Sequence, residues 1–92
     1  AQQERGRLGL AVRPLERQEQ REAGVTGGLL VEGVAGPAAK AGIQPGDIVL
    51  SLNGTPITSA EQLQSLASKS GRHAALLVQR DNAKIFVPIE LG

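Results

Sequence analysis

The residues of this chain whose types could support catalysis are few and far apart. The only histidine is His73, and because the sequence has no cysteine, neither a cysteine nor a second histidine can join it as a metal ligand. The serines at 51, 59, 65, 68 and 70 occupy predicted strand, cap and helix positions, and none stands in the Gly-x-Ser-x-Gly turn that exposes a nucleophile. The sequence therefore indicates no catalytic centre, no metal site and no cofactor.

Two glycine-rich stretches have the composition of phosphate-binding loops but the wrong surroundings. The stretch GRLG at 6–9 precedes a predicted strand, whereas a dinucleotide-binding loop follows a strand and opens a helix. The stretch GVTGG at 24–28 lacks the lysine and the following helix of a P-loop. Neither stretch predicts a nucleotide site, so binding of another kind is the function that remains.

The stretch RLGLAV near the start of the chain suits the capture of a peptide. Leu8, Leu10 and Val12 alternate as in a strand, and Pro14 places that strand at a sheet edge because proline cannot donate to a ladder. An open edge can accept a strand from a partner. Gly9 would let the neighbouring N–H groups converge on an anion such as a peptide carboxylate. A bulge or a close packing contact explains the same glycine equally well.

Composition narrows the class of protein. The 92 residues make one small domain. Ten Lys and Arg against nine Asp and Glu leave a net charge of +1, and Phe86 is the only aromatic residue, so no nucleic-acid partner is predicted. No apolar run approaches the ~20 residues that span a bilayer, so membrane insertion is not expected. The chain starts without an initiator methionine or signal peptide, and we expect it to be a piece of a longer protein.

Five or six short strands are predicted from apolar runs bounded by turn residues. The runs assigned to strands are 8–15, 29–31, 47–52, 74–80 and 84–91. Asn53-Gly54, the strongest turn signal in the chain, follows the third strand. Because strands and helices are interspersed without a regular βαβ rhythm, the pattern favours a mostly antiparallel α+β domain or a partly open barrel.

Two helices are predicted, one of them a single turn at 37–41 that begins with proline and ends at glycine. Thr58 or Ser59 can cap the longer helix, Thr58 with Glu61 fits a capping box, and the helix runs to about residue 68. The charged run at 16–22 has no apolar stripe, and we expect a solvated loop or a helix of one to two turns there.

The core is predicted to be aliphatic, since the chain has no Met, Trp, Tyr or Cys. The predicted core residues are Leu29, Val31, Ile43, Ile48, Leu50, Leu63, Leu66, Leu76, Val78, Ile85 and Val87. On the long helix, Ala60, Gln64 and Ala67 share a face beside the one that carries the two leucines.

Three segments together resemble a PDZ domain: RLGL at 7–10, GPAAKAGIQPGDIV at 36–49 and LNG at 52–54. Their order resembles the bacterial form, and LLVQR at 76–80 with IFV at 85–87 is most similar to the second, C-terminal PDZ domain of HtrA/Deg serine proteases. The resemblance implies a PDZ-like, partly open antiparallel β-sandwich or barrel. It would have five to six short strands, one long and one short helix, and the bacterial, permuted strand order. The domain would span 7–91, after a disordered lead-in at 1–6.

The resemblance also implies roles for particular residues. The backbone N–H groups of Leu8, Gly9 and Leu10 would bind a peptide carboxylate, and Arg7 would add attraction at longer range. Four side chains would line the peptide groove, namely Val12 on the strand and Ala60, Gln64 and Ala67 on the long helix.

The function implied is that of a non-catalytic module that captures apolar C-termini or extended segments by β-strand addition. It would serve an attached HtrA/Deg-type serine endopeptidase in protein quality control and stress response in the periplasm of the bacterial envelope. Its partners would be C-terminal or unfolded peptide segments. The alternative is a docking element that contacts other domains of the protease oligomer and controls assembly without binding substrate.

Overall fold

Six strands and three helices follow one another in the computed structural model of the chain, which describes residues 9–69 and 71–90. The strands are β1 (Leu10–Pro14), β2 (Leu29–Val34), β3 (Ile48–Leu52), β4 (Thr55–Pro56), β5 (His73–Arg80) and β6 (Ala83–Glu90). The helices are α1 (Arg17–Ala23), α2 (Gly36–Ala41) and α3 (Ala60–Lys69). The predicted lead-in at 1–6, Arg7 and Leu8 lie outside the described residues. None of the described helices combines the length and the apolar character needed to cross a membrane.

The strands form one antiparallel sheet in the order β1-β2-β3-β5-β6, and β4 pairs with β3. The predicted α+β class with a partly open antiparallel sheet is confirmed. Two of the connections are tight turns with both central residues in the left-handed region, Asn53-Gly54 (φ 51° and 87°) and Asp81-Asn82 (φ 53° and 67°). Such turns match the twist of the flanking strands, which explains why Asn, Gly and Asp stand there.

The charged run forms α1, a seven-residue helix, which is the second of the two alternatives predicted for it. Glu16 caps α1 and its backbone N–H donates to Glu19 Oε1 at 2.8 Å. At the other end Gly24 takes a left-handed conformation (φ 72°), and the Gln79 side chain donates to the Ala23 carbonyl at 2.6 Å. α1 has no buried residue and is therefore held by polar contacts rather than by an apolar face.

Of the two predicted cap residues of α3, Ser59 is the one that caps the helix. Ser59 Oγ, rather than the Thr58 hydroxyl, accepts from the backbone N–H of Gln62 at 3.1 Å. The Gln62 side chain in turn accepts from the Thr58 backbone N–H at 3.0 Å. Glutamine at the third helical position serves a cap as well as glutamate does, so the pairing of Thr58 with Glu61 was the wrong choice between two adjacent registers.

The core is aliphatic as predicted, but β3 presents a different set of side chains to it. Val49 and Leu52 are buried, whereas the predicted core residues Ile48 and Leu50 are only half-buried. Ile48 precedes an inward-facing residue and therefore points to the other face, since side chains alternate along a strand. A register shift between Val49 and Ser51 inserts Leu50 as an extra residue and changes the phase of the rest of the strand. We call this opposite face of the sheet, which carries Ile48, Ser51, Leu77 and Phe86, the rear face.

Most of the other predicted core residues are confirmed. Buried as expected are Leu29, Val31, Ile43, Leu63, Leu76, Val78 and Val87. Leu66 and Ile85 are only partly buried, although both pack against the core cluster. The core also includes residues that were not assigned to it, among them Leu10, Val12, Ile57, Ala67 and Ile89.

An ion pair between buried Asp47 and partly exposed Arg80 fastens the turn before β3 to the end of β5. Asp47 is 3% exposed, and Arg80 donates to both of its carboxylate oxygens at 2.9 and 2.6 Å. The backbone N–H of Gln44 donates to the same carboxylate at 3.0 Å, and Arg80 also reaches the Gly42 carbonyl. Burial raises the pKa of Asp47, but the hydrogen bonds from Arg80 and Gln44 outweigh it and hold the pKa below its ordinary 3.8.

Replacing Asp47 with asparagine should lower the free energy of unfolding at pH 7 by about 1–3 kcal/mol, because the charge-assisted bonds to Arg80 are lost. The folded-state pKa of Asp47 is depressed, so its contribution is present above the unfolded-state pKa and is lost as the pH falls through the folded-state pKa. The difference between wild type and Asp47→Asn should therefore shrink below about pH 4. Urea denaturation at a series of pH values measures both effects.

Asp81→Asn is the matched control, because Asp81 is an exposed turn residue whose left-handed conformation suits asparagine. Its free energy of unfolding should stay within about 0.5 kcal/mol of wild type. Wild-type and Asp47→Asn curves that remain parallel down to the most acidic samples would contradict this role for Asp47.

Candidate peptide-binding groove

β1 lies at an edge of the sheet, with β2 as its neighbour in the described strand order. The Ala35 N–H donates to the Gly9 carbonyl at 2.8 Å. The next residues along the two strands, Leu10 and Val34, face each other across the ladder. In an antiparallel ladder, hydrogen-bonded and non-hydrogen-bonded pairs alternate. Leu10 and Val34 are thus a non-hydrogen-bonded pair, and the backbone N–H and C=O of Leu10 point away from β2 toward the open edge.

Gly9 enters this strand in a conformation that requires glycine. Its φ is +81°, and a Cβ there would overlap the carbonyl oxygen of Ala35. The group that lies close to the Gly9 backbone is therefore the carbonyl of Ala35 in the same chain, at the junction of β2 and α2. The packing explanation of Gly9 has a structural basis, and the carboxylate-binding role of Leu8, Gly9 and Leu10 stays a prediction.

β1 buries three consecutive side chains, which a regular strand does not do. Leu10, Ala11 and Val12 are 2%, 7% and 6% exposed. Leu10 and Val12 are two residues apart and therefore share the face that joins the core cluster, and a register shift opposite Ala11 and Val12 leaves Glu32 as an extra residue in β2. Val12 was predicted to line the groove, and the structure places its side chain in the core beneath that edge.

α3 packs against β1 and β3 and forms the element beside the open edge. Leu63 and Ala67 face the core at 2% exposure each, while Ala60 and Gln64 are half-buried. Of the three helix residues predicted to line the groove, Ala60 and Gln64 lie at the margin between core and solvent, and Ala67 lies in the core cluster. Because the side chains of Ala60 and Ala67 are small, little side-chain volume lies between α3 and the sheet at these positions.

A charged cluster that was not predicted closes the far end of β1. Arg13 makes a two-pronged contact with Glu19 of α1, at 2.9 and 2.7 Å, and lies 3.3 Å from Glu32 of β2. The hydrogen bond from Arg13, with that from the Glu16 backbone, lowers the pKa of Glu19 to about 2. The run ERQEQRE carries several equivalent charges, so no pattern in it singles out Glu19.

The described residues, 9–69 and 71–90, contain no group of three or more His, Cys, Asp or Glu side chains able to hold a metal ion. At the entry to β1, the outward backbone N–H and C=O of Leu10 offer main-chain hydrogen bonds, with apolar side chains beneath them. This arrangement suits recognition of an extended segment.

An open antiparallel sheet whose edge strand is entered through a constrained glycine and flanked by a helix is the architecture of a PDZ domain. The family model for the PDZ domain matches residues 30–80. The chain belongs to the PDZ domain family.

Relatives and solved structures agree on the subgroup. A DegP-like periplasmic serine endoprotease of Pseudomonas fluorescens is 34% identical over 89 residues, which is 94% of this chain and 19% of that protein. A DegP-like protein of a Marinomonas species is 32% identical over 94 residues, 99% of this chain and 20% of its own length. The chain thus spans about a fifth of the curated relatives it matches.

Among solved structures, the HtrA3 PDZ domain bound to the phage-derived ligand FGRWV superposes with a TM-score of 0.77 at 30% identity, over 90% of this chain and 81% of that one. The HtrA-type protease AlgW with a tripeptide gives a TM-score of 0.81 at 27% identity, over 92% of this chain and 30% of that one. The resemblance to PDZ domains of the HtrA/Deg type is confirmed, and a binding module rather than a catalytic domain is what the chain contains.

Replacing Gly9 with alanine should destabilise the domain more than the same change at Gly24. Both residues have a left-handed backbone, which costs a side chain about 1–2 kcal/mol, but only at Gly9 does the new Cβ meet another backbone atom. We expect a loss of about 2–4 kcal/mol for Gly9→Ala, measured by urea denaturation. Equal losses in the two variants would show that the contact with Ala35 does not constrain the entry to β1.

Proposed function

We propose that this chain is a non-catalytic peptide-binding module that captures apolar C-termini or extended segments by adding a strand to β1. The observation that carries the proposal is the outward direction of the Leu10 backbone N–H and C=O at an open sheet edge. A peptide strand beside β1 can bond to these groups without disturbing the sheet. The neighbours bound to a phage-derived ligand and to a tripeptide support this use of the fold.

The peptide would run antiparallel to β1, with its carboxylate at the entry to the strand. Gly9 and Leu10 would offer backbone N–H groups there, together with Leu8, and Arg7 would contribute attraction at longer range. The bond from Ala35 to the Gly9 carbonyl holds this entry in place, so the binding groups are positioned before the ligand arrives.

Selectivity would come from small and apolar side chains. Ala60 and Gln64 stand at the margin of α3, and Val12 and Ala67 lie deeper, in the core cluster. Alanine at 60 and 67 leaves room for a large apolar ligand side chain, and Ala60 cannot form a hydrogen bond to select a polar one. We therefore expect a preference for apolar C-terminal residues.

The wider setting is proposed from the relatives. Their names describe periplasmic DegP-like serine endoproteases. We propose that this domain belongs to such a protease in the periplasm, where it would present misfolded or C-terminal segments to the protease during quality control and envelope stress. Its place as the second, C-terminal PDZ domain is part of the same proposal.

Titration of the chain with a pentapeptide ending in a valine with a free carboxylate tests peptide capture. The backbone amide signals of β1 and α3 should shift in two-dimensional NMR spectra, because the peptide contacts both elements. The same peptide with an amidated C-terminus should bind more weakly by about 1–3 kcal/mol, since it lacks the charge for the amides at Gly9 and Leu10.

Ala60→Glu and Ala39→Glu form a matched pair for that titration. Both alanines lie on helices, but Ala39 is an exposed residue of α2, whereas Ala60 lies at the proposed groove. A charge at 60 should reduce affinity roughly tenfold, because it meets the apolar ligand side chain, and a charge at 39 should change little. Unmoved β1 and α3 signals across a set of apolar-ended peptides would contradict the proposal.

A second candidate function is docking onto other domains of a protease oligomer, and the exposure of Phe86 favours it. This only aromatic residue is 72% exposed on the rear face, with half-buried Leu77 opposite and exposed Pro88 two residues on. In the intact protein, Phe86→Ser should reduce oligomer size in analytical ultracentrifugation if this surface mediates assembly. An unchanged oligomer would exclude Phe86 as an assembly contact.

A further inference from the structure

A second concave site lies on the rear face, away from the groove beside β1. The loop at 24–28 and the segment at 56–58 form two of its walls, Leu50 lies at its floor and Lys84 stands at its rim. Its volume is about 330 Å³. None of its lining residues belongs to β1 or α3, so it is distinct from the proposed peptide groove. We call it the rear pocket.

The walls of the rear pocket are anchored to the sheet. A Cβ on Gly28 would lie 3.0 Å from Ile48 Cγ2 and 3.3 Å from Leu50 Cδ2, so the loop rests directly on the rear face. The hydrogen bond from Gln79 to Ala23 holds the segment that leads into the loop. On the other side, the Ile57 N–H donates to the Leu50 carbonyl at 3.1 Å. The concavity is therefore part of the fold and does not depend on a ligand.

Four apolar side chains stand together in the lining of the rear pocket, beside glycines, two threonines and Lys84. Leu50 and Val25 are half-buried, and they stand beside Pro56 and buried Ile57. The bulge in β3 that removes Leu50 from the core delivers its side chain to this site. An apolar group from a ligand would cover these side chains and remove them from water, which is favourable in proportion to the area covered.

Lys84 gives the rear pocket its charge. It is the only ionisable residue in the lining, it is exposed, and it forms no ion pair with any residue in 9–69 or 71–90. A lone ammonium group beside an aliphatic floor attracts a single negative charge next to an apolar group. A phosphate-rich ligand fits less well, because the lining holds no arginine and no second lysine.

We propose that the rear pocket binds a peptide segment in which an acidic residue adjoins a leucine-sized aliphatic residue. The volume lies at the lower end of ligand sites and accommodates one or two side chains rather than a folded element. Phe86, two residues from Lys84 on the same side of β6 and 72% exposed, continues the apolar surface for the rest of such a segment. The acidic side chain meets Lys84, and the aliphatic one covers Leu50.

The test is an NMR titration of the chain with N-acetyl-aspartyl-leucine amide. Both ends of this probe are blocked, so it has no terminal carboxylate for the entry to β1, and its result is independent of the valine-ended peptide. The amide signals of 24–28, 57, 58 and 84 should shift together. The asparaginyl analogue should bind roughly two- to fivefold more weakly, as expected for loss of one partly exposed ion pair.

Lys84→Gln should weaken binding of the aspartyl probe by a similar factor and abolish its advantage over the asparaginyl analogue. Lys40→Gln is the matched control, because Lys40 is an exposed lysine on α2, outside the lining of the rear pocket. Three outcomes would each overturn the proposal. They are no shifts at 24–28, equal affinity for the two probes in wild type, and shifts confined to β1 and α3.

Discussion

The contact between Gly9 and the Ala35 carbonyl is the constraint on which the proposed peptide site depends. It leaves no room for a Cβ on the left-handed residue at the entry to β1, and the bond from the Ala35 N–H to the Gly9 carbonyl fixes the phase of the ladder between β1 and β2. That phase decides which backbone groups of β1 face β2 and which face the open edge. A one-residue slip would turn the Leu10 N–H and C=O inward and leave the edge without them.

Polar contacts position the connecting segments, while an aliphatic core holds the sheet to α3. Phe86, the only aromatic residue, is exposed, so packing relies on branched side chains such as Leu29 and Val78, neither of which is exposed at all. The two charged clusters differ in setting. Asp47 is buried and its loss leaves the Arg80 guanidinium without its partner, whereas Arg13 and Glu19 remain about one-third exposed and screened by water.

Local signals in the sequence predicted the elements well, and features that depend on pairing between strands were missed. Asn53-Gly54 needs only its own backbone conformation, so its residue types were sufficient to predict the turn. The phase of β3 depends on a bulge opposite β5, and nothing within the apolar run distinguishes Ile48 and Leu50 from Val49 and Leu52. The candidate site shows the same difference. A glycine within an apolar strand is unusual, so Gly9 could be recognised from its neighbours, but its contact Ala35 is 26 residues away in the sequence.

The proposed groove and the rear pocket are joined by one continuous segment. β1 leads into α1, α1 ends at Gly24, and the loop at 24–28 returns the chain to β2. Arg13 ties the start of this segment to Glu19, and Gln79 ties its end to the sheet. Because both ends are fixed to the same sheet, ligands at the two sites would lie on different sides of one rigid layer.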